Sequence, residues 1–177
     1  YNTVQTMYLA GGTLASTVGS SSWAGPLFVT ANSNITVQGG AVLELKGILG
    51  GAGTISQFGE GTLILSGQAD PTTRNSLTSA TVPSHTVQAG TLRLDYSNNN
   101  GSKLSDTGAL VLGGSRFGGV LELYSSNALN NHVEIVSSAT FNTGANRVIR
   151  TGGVNKVRLN GIGRGVGATV DFSADDI

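Results

Sequence analysis

Three glutamates stand at the centres of apolar–charged–apolar triplets: Leu43-Glu44-Leu45, Leu121-Glu122-Leu123 and Val133-Glu134-Ile135. Carboxylates repeated at one strand position are the raw material of polysaccharide hydrolysis. That chemistry uses two carboxyl groups ~5–10 Å apart, one of them kept protonated by its surroundings. Arg93, in Leu92-Arg93-Leu94, takes the equivalent place between them. The plainer expectation is therefore a solvated ladder of alternating charge. Asp175-Asp176 reads as a solvated pair.

A second group is cationic. Arg147, Arg150, Lys156, Arg158 and Arg164 follow one another with no acid between them. On one face they would bind an anionic ligand such as an acidic polysaccharide, a lipopolysaccharide or nucleic acid. No aromatic residue lies among them to stack on bases, which argues against nucleic acid. The other chemical motifs fail on spacing. His85 and His132 have no second metal ligand two or four residues away. Gly50-Gly51-Ala52-Gly53-Thr54-Ile55 begins like a calcium-binding β-roll but puts Ile55 where the aspartate belongs. Gly113-Gly114-Ser115-Arg116-Phe117-Gly118 misses a nucleophile elbow by one position. Gly161-Ile162-Gly163-Arg164-Gly165-Val166-Gly167 leads into a strand rather than a helix, so it reads as a flexible corner and not a phosphate loop. No catalytic residue, metal or cofactor is implied.

The elements that must carry these residues are short strands. Apolar–any–apolar triplets also occur at Leu63-Ile64-Leu65, Leu110-Val111-Leu112, Val157-Arg158-Leu159 and Val170-Asp171-Phe172. Alternation along a strand puts the outer two residues on one face and the middle one on the other. Six of the eight middle residues are charged, so one face is core and the other wet. Helical periodicity is absent: glycine breaks every window long enough to show it. Gly61-Thr62-Leu63-Ile64-Leu65 and Gly90-Thr91-Leu92-Arg93-Leu94 are near copies. Thr36-Val37-Gln38-Gly39-Gly40-Ala41-Val42-Leu43-Glu44-Leu45 and Thr86-Val87-Gln88-Ala89-Gly90-Thr91-Leu92-Arg93-Leu94 match with one insertion, and Thr3-Val4-Gln5 with Gly11-Gly12-Thr13-Leu14 is a weaker third copy. Short strands joined by recurring glycine corners predict one all-β domain over residues 1–177, a single-stranded right-handed parallel β-helix or β-solenoid. An antiparallel β-sandwich is the alternative, since it too has short alternating strands and turns. At roughly 20–25 residues per coil the chain makes about seven or eight coils, a rod of roughly 35–40 Å.

Two stretches leave the rhythm. Residues 66–85, with Pro71 and Pro83, read as a protruding loop, and Ser97-Asn98-Asn99-Asn100-Gly101-Ser102 as a tight polar turn. The opening, residues 1–28, is the least regular and carries a serine-rich excursion at Ser20-Ser21-Ser22. Composition excludes other classes. Charged residues are 11% and the formal net charge is zero, so no global field recruits nucleic acid. The absence of cysteine rules out disulfides and thiolate metal sites. No apolar run approaches the ~20 residues that span a bilayer as a helix. Apolar triplets run almost to the C-terminal residue. Both ends therefore read as uncapped, and the expectation is an excerpt whose ends are covered by adjacent coils of a longer chain or by end-to-end self-association.

Gly61-Thr62-Leu63-Ile64-Leu65-Ser66-Gly67, resuming at Thr86-Val87-Gln88-Ala89-Gly90-Thr91-Leu92-Arg93-Leu94, resembles the autotransporter-associated β-strand repeat. So do Asp95-Tyr96-Ser97, Ala109-Leu110-Val111-Leu112-Gly113-Gly114 and Gly167-Ala168-Thr169-Val170-Asp171-Phe172, and the likeness spans roughly residues 34–173. Gln68-Ala69-Asp70-Pro71 and a longer insertion stand where that repeat carries Asn-Thr-Tyr-Thr-Gly. The resemblance implies a structural passenger segment of a bacterial protein, extracellular or at the outer-membrane surface, acting as a rod, spacer or fibre. Adhesion to surface glycans, or a polysaccharide-degrading enzyme, are the alternatives it leaves.

Overall fold

The computed structural model describes residues 5–67 and 84–174. Among them the chain is entirely strand and turn, with no helix, wound as a β-solenoid. The first coil holds β1 (Met7–Ala10), β2 (Thr13–Ser16) and β3 (Ser20–Trp23), and the second β4 (Leu27–Ala31), β5 (Ser33–Val37) and β6 (Val42–Leu45). The third holds β7 (Leu49–Gly50), β8 (Ile55–Phe58) and β9 (Thr62–Leu65), the fourth β10 (His85–Val87) and β11 (Gly90–Asp95), and the fifth β12 (Ala109–Leu112) and β13 (Gly119–Tyr124). The sixth has β14 (Val133–Val136), β15 (Ser138–Phe141) and β16 (Gly144–Thr151), and the seventh β17 (Lys156–Leu159), β18 (Ile162–Arg164) and β19 (Ala168–Ala174).

Strands at the same place in successive coils stack into ladders. One seven-stranded sheet runs β2-β5-β8-β10-β12-β15-β18 and another β3-β6-β9-β11-β13-β16-β19. The third side is broken: β1-β4-β7 make one short sheet and β14-β17 another. Among the described residues every pairing between strands is parallel, so the β-sandwich alternative is excluded. Seven rungs are separated by six turns, roughly 29 Å of stacking, shorter than the expected ~35–40 Å. The period is uneven. Thr13 pairs with Asn34 and Asn34 with Ser56, steps of 21 and 22 residues, but Ser56 pairs with Thr86, a step of 30.

The register turns the alternating triplets into core columns. On the longer-stranded sheet, Ser21, Leu43, Leu63, Leu92, Leu121, Val148 and Phe172 stack in one column. From Leu43 to Val148 it is buried. Beside it run Trp23, Leu45, Leu65, Leu94, Leu123, Arg150 and Ala174. The facing sheet supplies Leu14, Ile35, Gln57, Val87, Leu112, Phe141 and Arg164 in one column, and Ser33, Ile55, His85, Leu110, Ala139 and Ile162 in another. Each buried leucine withdraws enough apolar surface to be worth roughly 1.5–3 kcal/mol. The corners between columns are tight. Gly51 has φ +107°, and a Cβ there would lie 2.2 Å from the Val29 carbonyl oxygen of the coil beneath. Only glycine meets both conditions.

The structure redraws three expectations and leaves most of a fourth outside the described residues. Ser20-Ser21-Ser22 forms strand β3 rather than an excursion, and the first coil has strands on all three sides. Within the glycine-rich 161–167 stretch, Ile162–Arg164 is strand β18, because the β15 edge supplies a ladder for it. Of the predicted 66–85 loop, residues 68–83 lie outside the described residues, as do Asp175 and Asp176; His85 itself opens β10 and is buried. Finally, Val87 stacks on Gln57 in the Ile35 column, so the matched Val37 and Val87 occupy different columns. The corner from β5 to β6 is longer than that from β10 to β11, and this absorbs the shift.

Candidate functional site

The three glutamates do not form a carboxylate pair. Glu44, Ile64, Arg93 and Glu122 make one outward ladder across β6, β9, β11 and β13. Three rungs put the Glu44 and Glu122 backbones roughly 14 Å apart, outside the ~10 Å reach of a glycosidase pair. Both carboxylates are also engaged. Arg93 Nε lies 2.8 Å from Glu122 Oε2, with its guanidinium 4.8 Å from the Tyr124 ring centre. Glu44 Oε1 accepts from Ser66 Oγ at 2.7 Å, and its Oε2 lies 3.4 Å from Lys46 Nζ. The alternation of charge is the one the sequence predicts for Glu44, Arg93 and Glu122, but the face is not solvated throughout: Glu122 is buried, 5% exposed, beneath its ion pair with Arg93.

Glu134 departs from it. Its triplet is turned over: Val133 is 43% exposed, while Glu134 faces inward in register with Val157 and is fully buried. The cause lies one coil below. Between Asp95 and Ala109 the third side has no strand, so the backbone N–H groups of Lys103 and Leu104 lack a ladder partner. The Glu134 carboxylate replaces it. Oε1 accepts from Leu104 N at 2.9 Å, and Oε2 accepts from Lys103 N at 2.9 Å and from the Tyr96 hydroxyl at 2.6 Å. Three donors on a buried carboxylate are the condition under which burying the charge is tolerated. The Asn99–Lys103 turn is closed from within by Gly101 N donating to Asn99 Oδ1 and Lys103 Nζ donating to the Asn99 carbonyl.

Titration follows from this packing. Burial, then the Glu134 charge and hydrogen bond, raise the Tyr96 hydroxyl well above its ordinary pKa. Burial lowers Lys103 to about 8 against the opposing pull of Glu134 and Asp95. His132 completes the cluster, with Nε2 3.4 Å from Ser102 Oγ and 3.6 Å from Glu134 Oε2. The trio has the composition of a serine-hydrolase relay but not its geometry. A relay needs the hydroxyl and the carboxylate on different ring nitrogens, and here both approach the same one. The arrangement does not activate Ser102; it clamps the 97–104 segment onto the solenoid. Nothing in the triplet pattern marks Glu134 as inward-facing, and Tyr96 and Lys103 are isolated residues whose roles appear only once β14 is placed above them.

The five cations are spread around the circumference. Arg147, on β16, points outward 3.4 Å from Asp171. Arg150 occupies a core-facing register between Leu123 and Ala174. With Asn155 and Lys156 it lines a cavity of about 300 Å³ walled by Leu123, Val148, Val157 and Phe172. Arg164, on β18, donates from Nε to the Ala168 carbonyl at 2.8 Å. Lys156 and Arg158 point outward from β17. Three different sheets thus carry the set. Ser115 is held as a structural hydroxyl, donating to the Gln88 carbonyl at 2.8 Å. Among the described residues no group of three His, Cys, Asp or Glu side chains is placed to hold a metal, and no helix is long and apolar enough to cross a membrane. No protein-family model, curated protein or solved structure matches the chain.

Proposed function

We propose that this chain is a structural rod or spacer segment of a bacterial surface protein, exported to the cell exterior. The observation that supports it most is the run of core columns through seven rungs, with the buried Glu134 carboxylate used to close the fold. The resemblance of Gly61–Leu65 and Gly90–Leu94 to autotransporter-associated repeats supports the surface location. In this reading the last rung is covered by a further layer, from adjacent coils or another copy. Phe172 and Ile162 hold core-facing registers there yet are 53% and 67% exposed. The test has two arms. Antibodies raised against residues 1–177 should label intact cells of the producing organism; labelling only after permeabilisation rejects the location. A screen of polysaccharides should show no turnover, and turnover abolished by Glu122→Gln or Glu134→Gln would make the chain an enzyme.

A further inference from the structure

The outer face of the β14–β17 sheet combines cations with exposed aliphatic side chains. Val133 stands beside Lys156 and Ile135 beside Arg158, all four on the outward side, while Glu134, Val136, Val157 and Leu159 point inward. Alternation carries the same face back to Val154, which is 45% exposed. Val154 N donates to the Asn130 carbonyl at 2.8 Å, and this seats the 127–130 turn alongside. That turn presents Leu129 at 85% exposure, its backbone N fixed by Asn127 Oδ1. The charge here is of one sign. From Ser125 to Gly167 the only acid in the sequence is Glu134, and its carboxylate is buried on the other side of the sheet. Of the five cations, Arg147 is beside Asp171, Arg150 is turned into the interior register, and Arg164 is bonded to Ala168. Lys156 and Arg158 alone share this face.

We propose that this face, built on Val133, Ile135, Val154, Lys156 and Arg158 with Leu129 at its edge, docks on an anionic lipid surface. Exposed aliphatic side chains next to cations match the two terms of interfacial binding, apolar burial at the headgroup boundary and attraction to anionic lipid. An acidic polysaccharide or nucleic acid would use the cations but leave Leu129 and Val154 without a partner, and no aromatic ring is on the face to stack on a sugar or a base. A layer added to the last rung would extend the edge of this sheet and leave its outer face open.

The experiment is co-sedimentation of the protein with vesicles of phosphatidylglycerol and phosphatidylcholine, against pure phosphatidylcholine. Partition should favour the anionic vesicles and fall in high salt. At a factor of about five for each cation near the surface, Lys156→Gln with Arg158→Gln should lower it about thirtyfold. Leu129→Ser should lower it several-fold without changing its salt dependence. Both sets of positions are outward-facing, and matching melting curves would show that the variants fold. Equal partition into neutral vesicles, or no response to the charge substitutions, overturns the proposal. Binding to soluble dextran sulfate without partition into vesicles overturns it too, assigning the face to an acidic polymer.

Discussion

Two of the places where the solenoid buries polar groups are treated in opposite ways. At Glu134 every donor in reach has an acceptor: both carboxylate oxygens are used and the Tyr96 hydroxyl is consumed. In the core columns of the third and fourth coils, Gln57 and His85 are buried on neighbouring strands, and Gln57 Oε1 and His85 Nε2 have no partner. Gln57 uses only its Nε2, donating to the Thr91 carbonyl at 2.9 Å. The difference separates two meanings of a buried polar residue. Glu134 substitutes for a strand that the fifth coil lacks, so local structure depends on it. Gln57 and His85 occupy columns whose adjacent rungs hold Ile35 and Val87, and Ile55 and Leu110, so the fold carries them at a cost.

Removing the satisfied carboxylate should give the largest effect. Glu134→Ala leaves the Lys103 and Leu104 N–H groups and the Tyr96 hydroxyl without an acceptor, and we expect a loss of about 3–5 kcal/mol by denaturant unfolding. Glu134→Gln keeps the shape but points an amide donor at another donor; about 2 kcal/mol should be lost. Hydrogen exchange should then rise first in residues 97–104. A loss below ~1 kcal/mol for Glu134→Ala would mean that the 97–104 segment is held by packing alone.

The unsatisfied pair should show itself through pH. Burial lowers His85 to about 4 from an ordinary 6.5, so the folded chain holds it neutral. No charged residue is core-facing in the registers stacked on it and beside it: Ile55 and Leu110 lie on either side in its column, with Gln57, Val87 and Leu112 next to them. The sign follows. Stability from this residue is fully present above pH 6.5 and is lost as pH falls to 4, by roughly 3 kcal/mol over the interval. Other groups titrate in the same range, so the informative quantity is the difference between wild type and His85→Leu. That difference should move by roughly 3 kcal/mol in favour of the variant between pH 7 and 4. A constant difference would show that His85 is solvated.

How much of this was legible depended on whether a residue's partners were near in sequence. The columns were, because Leu63, Leu65, Leu92 and Leu94 sit in repeated triplets and parallel stacking preserves their order. The outward ladder of Glu44, Arg93 and Glu122 followed from the same alternation. Glu134 was not legible. Its triplet is as good as the others, and what turns it inward is the missing strand 30 residues earlier. The cationic set misled for a related reason: Arg147, Arg158 and Arg164 are near in sequence but successive corners carry them onto different sheets. Sequence gave no period for the corners, whose lengths vary, and so no account of which face each cation joins.

The smallest expected effect tests the comparison most directly, because it reverses sign. Gln57→Met removes an unpartnered oxygen from a column whose nearest rungs hold Leu14, Ile35, Val87 and Leu112, and replaces it with a flexible apolar side chain of similar length. It also takes away one donor to the Thr91 carbonyl. The loss of one neutral hydrogen bond is worth ~1 kcal/mol, and relief of the orphaned oxygen is worth a similar amount or more. The net should therefore lie between no change and about 1 kcal/mol of stabilisation, read as a shift in the denaturant midpoint at constant slope. Combined with His85→Leu, the gains should fall short of additivity, since the two side chains sit on adjacent strands in neighbouring columns. A loss approaching that of Glu134→Gln would place Gln57 in the same class as Glu134, as a residue whose polar contacts the coil cannot do without, and the contrast between the two regions would fail.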